Sequence, residues 1–313
     1  MVMLDQRFRL VTRSDFDGLV CAVLLRDREM IDEITFVHPK DMQDGKVEIT
    51  NRDITTNLPY VPGAYLVFDH HASETMRNNP DCHTNYVIDS SAPSAARVVY
   101  DYYGGKKAFP SIGDDLMAAV DKADAAQFDL EEVLHPSGWE LLNFLMDART
   151  GLGRFRDFRI SNYQLMMDLI EACRTMSIEE ILAIPDVSER VAIYREHEPM
   201  FNEQLRRCST VHGSLVVLDL RGEEVIYAGN RFMLYALYPD ANISAHVIWG
   251  RERQNVVVAV GKSIFNRTSR TNVGELMLEY GGGGHHNAGT CQLAHDKAEK
   301  QLGEIIKHIC SDG

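Results

Sequence analysis

No two cysteines in the sequence form a CxxC pair; Cys21, Cys82, Cys173, Cys208, Cys291 and Cys310 stand singly. That spacing argues against a zinc ribbon and a disulfide framework, and the expectation is reduced thiols in a cytoplasmic protein. No apolar run reaches the roughly 18 residues that a membrane helix needs, so no membrane partner is expected. The opening stretch, Met1 to Leu10, lacks the basic-then-apolar layout of a secretion signal. Positive charge is also in deficit: 32 Lys and Arg face 46 Asp and Glu, a formal net charge of −14. Proteins that coat long nucleic acids draw affinity from a basic surface that releases counterions, so long duplex nucleic acid is not expected as a partner. A small phosphorylated ligand in one locally basic, metal-loaded cleft remains compatible with this charge. Internal repeats and low-complexity tracts are absent.

What is present is the composition of an ordinary globular protein, 45% hydrophobic and 25% charged. At 313 residues, two domains is the natural division. Phe8–Thr12, Ile34–His38 and Ala64–Phe68 read as strands, and Leu19–Leu25 as a buried helix. Alternation of strand and helix predicts a parallel sheet with helices against its faces. Helical periodicity follows at Ala95–Tyr103, Asp114–Asp124, Trp139–Asp147 and Asn162–Met176, with Pro185 ending the series. A linker helix is expected from about Val187 to Arg207. Beyond it, Ser214–Asp219, Val225–Ala228, Ile243–Trp249 and Asn255–Val260 read as strands. The fold class is therefore α/β: a parallel-sheet N-terminal domain flanked by helices (1–186), a linker helix (187–209), and a smaller α/β C-terminal domain (210–313).

Four constellations carry chemistry. Asp15 and Asp17, followed by Gly18, fall just after the first strand. Alternate carboxylates at a turn can face one hard cation, although Asp and Gly are also common turn formers. Asp69, His70 and His71 follow the third strand, so both groups would sit at carboxyl ends of strands, where open α/β sheets bind ligands. Oxygen with imidazole suits a first-row divalent ion. Asp121 and Asp124 share one helical face at i, i+3; alone they would be an exposed helix end balanced by Lys122. Asn51 and Asp53 precede the Asp69 strand as further candidates, and Asp89 reads as a helix-start residue. Last, Gly281, Gly282, Gly283 and Gly284 lead into His285 and His286. Four glycines in a row cost backbone entropy, but let N–H groups approach an anion closely. The expectation here is a phosphate cradle.

In this order the pieces resemble the DHH phosphoesterase superfamily with its C-terminal DHH-associated domain. Asp69-His70-His71 matches the motif that names it, Arg13-Ser-Asp15-Phe-Asp17-Gly18 resembles its first motif, and Gly282-Gly-Gly-His285 with Asn287-Ala-Gly289 its GGGH signature. Length and layout look closest to the nanoRNase/pAp-phosphatase and exopolyphosphatase-related branch. The resemblance implies a hydrolase using one or two Mn²⁺ (or Mg²⁺) ions held by Asp15, Asp17, Asp69 and His70. Asp53 would bridge, and Asp121 or Asp124 would supply the fourth motif. His71 would assist at the phosphorus, while Gly281–His285, with His286 as a further donor, would hold the substrate. A short oligonucleotide or phosphorylated nucleotide is the implied substrate, and a homodimer is compatible. One departure stands out: the family's leading histidine is Arg13, which cannot ligate a metal. Either Arg13 replaces one ion's charge and clamps phosphate, or the chain is a non-catalytic nucleotide-binding regulator. A polyphosphatase or pyrophosphatase is the third reading.

Overall fold

A computed structural model describes residues 7–71, 74, 82–155 and 157–313; the amino-terminal residues 1–6 lie outside them. The chain divides into two compact units. The first comprises Met1–Gln127, Ser137–Ala148 and Leu152–Val191, and the second Phe128–Pro136, Arg149–Gly151 and Ala192–Gly313.

The first unit is built on β1 (Phe8–Arg13), β2 (Ile31–Val37), β3 (Asp53–Thr56), β4 (Leu66–Asp69) and β5 (Tyr86–Ile88). They form one sheet in the order β2-β1-β3-β4-β5, with every pairing parallel. β3 is buried from end to end and β1 and β4 nearly so, with only Arg9, Arg13 and Leu66 half-buried, as expected where helices cover a parallel sheet. Between β1 and β2 runs α1 (Phe16–Asp27), whose residues from Phe16 to Leu25 are all buried. A helix apolar all round belongs in a core rather than on a surface. It packs against three later helices, α3 (Ala95–Tyr102), α4 (Asp114–Asp124) and α7 (Asn162–Thr175). Short α2 (Pro39–Gln43) precedes β3, α6 (Gly138–Met146) follows α4, and α8 (Ile178–Ala183) follows α7. Helix α5 (Leu130–Leu134) belongs to the second unit.

The strand order reverses direction at β1: the chain moves outward to β2, then returns to the other side as β3. Such a switch point leaves a crevice at the carboxyl ends of the two diverging strands. Its floor is tied by buried hydroxyls. Thr56 Oγ1 donates to Thr12 Oγ1 at 2.7 Å, and Thr12 Oγ1 donates to the Thr56 carbonyl at 3.1 Å.

Helix α9 spans Pro185–Arg207. Pro185 thus opens this helix, where its missing N–H costs nothing, as well as closing the preceding series. The second sheet takes β6 (Ser209–His212), β7 (Leu215–Asp219), β8 (Ile243–Trp249), β9 (Asn255–Lys262), β10 (Gly283–His285) and β11 (Ala288–Ala294), in the order β10-β11-β9-β8-β7-β6. All pairings are antiparallel except β7 with β8, whose crossover carries α10 (Met233–Leu237). Alternate residues of β8 and β9, with Val273, Leu276 and Met277 of α11 (Val273–Glu279) and Ile305 and Ile309 of α12 (Ala298–Asp312), make one core. The strand expected at Val225–Ala228 does not form. That apolar run is held by side chains of α9 instead: Gln204 donates to the Val225 carbonyl and accepts from Tyr227 N, and His197 Nδ1 accepts from Ala228 N. Its backbone groups are satisfied without a strand partner.

No described helix is long and apolar enough to cross a membrane. All six cysteines are free.

Candidate metal centre

The turn leaving β1 aims two carboxylates back over the sheet. Asp15 caps α1 by accepting from Gly18 N at 3.0 Å, satisfying one of the donors a helix start leaves open. Gly18 is required sterically. A Cβ there would sit 2.0 Å from the Arg13 carbonyl oxygen and 2.8 Å from Thr12 Oγ1. Asp17, 2% exposed, accepts from Ala95 N at 3.0 Å and Ala96 N at 2.8 Å, the open donors at the start of α3. Burial, with the negative charge of Asp124 second, pushes the Asp17 carboxyl up to about 8.

Asp17, His70 and Asp124 converge. One potential ligand atom from each lies within 4.8 Å of the others, a grouping that fits a divalent ion. His70 arrives from the carboxyl end of β4 and Asp124 from the last residue of α4. Nε2 of His70 is 2.9 Å from Asp124 Oδ2, and Nδ1 is 3.2 Å from the Ala92 carbonyl. A carbonyl can only accept, so Nδ1 carries the proton and Nε2 is the nitrogen turned toward the carboxylates, the arrangement of an oriented metal ligand. Burial disfavours the imidazolium, but the hydrogen bond and charge of Asp124 outweigh it and raise His70 to about 9. The same pair lowers Asp124 against the opposing effect of its burial. A divalent ion entering this pocket would compete with protons for these groups.

Asp69 is wholly buried. Its Oδ1 accepts from His70 N at 2.8 Å and lies 2.6 Å from His71 Nδ1, while Oδ2 has no hydrogen-bond partner. The oxygen and imidazole donors of Asp17, His70 and Asp124 fit Mn²⁺ or Mg²⁺, and Asp69, which orients His71, lies outside that grouping. Burial opposes the charge on His71, and its bond to Asp69 outweighs that and raises its pKa.

The structure places Asp53, Asn51, Asp121 and Asp89 outside the grouping of Asp17, His70 and Asp124. Asp53 stands at the amino end of β3, the wrong end of the sheet. It is in register with Arg9 on β1, whose Nε and Nη2 it holds at 2.7 and 3.0 Å, and it accepts from Thr50 N at 2.6 Å. Asn51 is exposed in the turn beside it. Asp121 is likewise a brace: it accepts from Ser94 Oγ at 2.7 Å and Arg97 Nε at 3.0 Å, steadying the start of α3 from which Asp17 takes its hydrogen bonds. Asp89 closes a turn with Ser91, and the cap of α3 is Ser94. Asp53→Asn is expected to lower stability by about 2–4 kcal/mol, because the Arg9 cation loses its charged partner. Metal binding and turnover should persist; thermal unfolding with a metal titration checks both.

The residue at the carboxyl end of β3 is Asn57, which the sequence reading did not single out. It is buried, takes the left-handed conformation at φ +54°, and donates from Nδ2 to Asp15 Oδ1 at 3.2 Å. Asparagine tolerates that backbone better than most residues. Arg13 Nε lies 2.9 Å from Asp15 Oδ2.

In the second unit, the glycine run has a packing purpose the sequence reading did not give it. A Cβ on Gly282 would meet the Thr290 carbonyl oxygen at 2.1 Å, and one on Gly284 the Ala288 carbonyl oxygen at 2.3 Å. These two permit the tight β10–β11 hairpin. The N–H groups of Gly281 and Gly282 already donate to the Leu278 and Met277 carbonyls at the end of α11, so they are not open to an anion. Gly283 stands in open space. His285 and His286 are exposed, and His286 Nε2 lies 2.9 Å from Nζ of Lys262, the last residue of β9. Lys262 went unnoticed in sequence; its signal is a single cation ending an alternating valine strand.

No family model and no curated protein match the chain. Solved structures do. A pGpG-specific phosphodiesterase from Vibrio cholerae, PggH, is 61% identical, over 98% of this chain and 100% of that one, with a TM-score of 0.83. A DHH domain of a protein described as a member of the s1p family of ribosomal proteins is 12% identical, over 98% of this chain and 87% of that one, at TM-score 0.59. RecJ from Thermus thermophilus in complex with Mn²⁺ is 11% identical, over 97% of this chain and 52% of that one, at TM-score 0.53. The last two are alike in fold alone.

Proposed function

The chain belongs to the DHH superfamily of phosphoesterases, and from that premise we propose that it hydrolyses the dinucleotide pGpG at a divalent-metal centre. The observation that carries the reading is end-to-end identity of 61% with a pGpG-specific phosphodiesterase. Water adds to the phosphorus of the internal diester, the sugar oxygen leaves with a proton, and each guanosine keeps one phosphate.

Asp17, His70 and Asp124 are the residues suited to hold Mn²⁺ or Mg²⁺. When bound, such an ion supplies Lewis acidity toward the phosphate and the attacking water. His71, oriented by Asp69, is placed to hold a proton at its imidazole during that exchange. Lys262 and His286 in the second unit offer cationic and donor groups to a substrate phosphate. Retention of the Asp17, His70 and Asp124 donors favours turnover over a purely sensory role.

The test is incubation of pGpG with the full chain and Mn²⁺, with products separated chromatographically. Guanosine monophosphate should appear, vanish when metal is chelated, and return when Mn²⁺ is restored. Intact pGpG beside cleavage of polyphosphate or pAp would overturn the substrate assignment.

A further inference from the structure

Beside the donors of Asp17, His70 and Asp124 lies a second polar cluster centred on Asp15, at the carboxyl ends of β1 and β3. Its chemistry differs. Asp15 Oδ1 accepts from Gly18 N at 3.0 Å and Asn57 Nδ2 at 3.2 Å, and Oδ2 faces Arg13 Nε at 2.9 Å. A carboxylate offers about four lone-pair directions; two here meet N–H donors, and a permanent cation stands against Oδ2. Asn57 contributes a neutral amide with Nδ2 turned to Asp15, since its Oδ1 there would face another acceptor. An ion on Asp15 would stand within a few ångströms of the Arg13 guanidinium, and the two positive charges would repel. Asp15 is outside the grouping of potential ligands, which comprises Asp17, His70 and Asp124 among the described residues.

We infer that this centre holds one divalent ion, and that Arg13, screened by Asp15 and Asn57, occupies the place of a second. The inference rests on the metal-dependent reading above and specifies its stoichiometry. Arg13 Nε faces Asp15, and Nη1 and Nη2 form the outer edge of the guanidinium. The side chain is 37% exposed, so this edge of the planar fork is available to two oxygens of a phosphate. A covalently attached cation differs from an ion in one respect that matters here: chelation cannot remove it.

The experiment titrates Mn²⁺ into the metal-stripped full chain and follows the free-ion signal by electron paramagnetic resonance. About one ion per chain is expected, with the spectrum of an isolated ion, because the exchange coupling of ions about 3.5–4 Å apart is absent. The double variant Arg13→His, Asn57→Asp restores a ligand and a charge at the Asp15 cluster, and should bind about two ions with a coupled spectrum. A double variant that folds yet still binds one would overturn the role given to Arg13 and Asn57. The wild-type arm decides even if that variant does not fold. Two coupled ions in the wild type would overturn the single-ion inference and leave metal-dependent hydrolysis standing, whereas no bound ion would remove both.

Discussion

Asp124→Asn is expected to reduce turnover of pGpG on the order of a thousandfold, while Asp121→Asn costs tenfold or less, about 1.4 kcal/mol. The two residues sit one helical turn apart on α4, and their partners separate them. Asp124 faces His70 at 2.9 Å in the grouping suited to a metal, and its carboxyl is held below the ordinary range by that imidazole, against its own burial. Asparagine keeps its size and can still accept from His70, but removes a charge from the ligand set. Metal affinity should fall with activity, and the metal-free protein should unfold within a few degrees of wild type. Asp121 instead braces Ser94 and Arg97. Loss of its charge leaves a partly buried guanidinium with a weaker acceptor, at about 1–3 kcal/mol in stability, and loosens the α3 start that serves Asp17. Thermal unfolding, metal titration and steady-state kinetics on both variants distinguish the roles. Equal loss of turnover with unchanged stability in the two would place Asp121 among the ligands and sink the assignment.

The parallel sheet was legible because its strands are short, β-branched and apolar between helical repeats, and because position after a strand is itself a signal. That position singles out Asp15, Asp17, Asp69 and His70 as candidates. The same rule, applied strictly, would have selected Asn57 over Asp53. A search for a carboxylate led to the aspartate four residues earlier, at the opposite end of β3, where Arg9 claims it. Asp121 and Asp124 could not be separated by spacing, since i and i+3 share a helical face. Only the placement of Arg97 and His70, supplied by other elements, decides between them. The glycine run carries a packing constraint that local pattern does not reveal. Its entropic cost was read as the mark of an anion cradle, yet Gly282 and Gly284 are dictated by a carbonyl approaching from β11, a strand whose pairing lay beyond local pattern. Val225–Ala228 has the hydrophobicity of a strand but no neighbour to pair with. Its amides are met by Gln204 and His197 of α9 instead.

That revision changes which group in the second unit should matter most to a substrate phosphate. The Gly281 and Gly282 amides are committed to the end of α11, and among the side-chain donors Lys262 is foremost. Its Nζ donates to the Ser269 carbonyl at 3.1 Å and lies 2.9 Å from His286 Nε2. An ammonium has three donors, so one remains for a ligand. Burial lowers the Lys262 pKa, meaning that the charge is held at some cost in the free protein and that an arriving anion relieves it. A charge-assisted hydrogen bond is worth about 1.5–3 kcal/mol. Lys262→Met should therefore raise the KM for pGpG about tenfold to a hundredfold, with kcat changed only a few-fold, because the contact is made equally in ground and transition states. Lys262→Arg should recover part of the loss by returning the charge with altered geometry. The readout is the split between KM and kcat, with unfolding temperature as the control. A variant with unchanged KM would remove Lys262 from substrate binding. One with lowered kcat at constant KM would instead tie its charge to the chemical step.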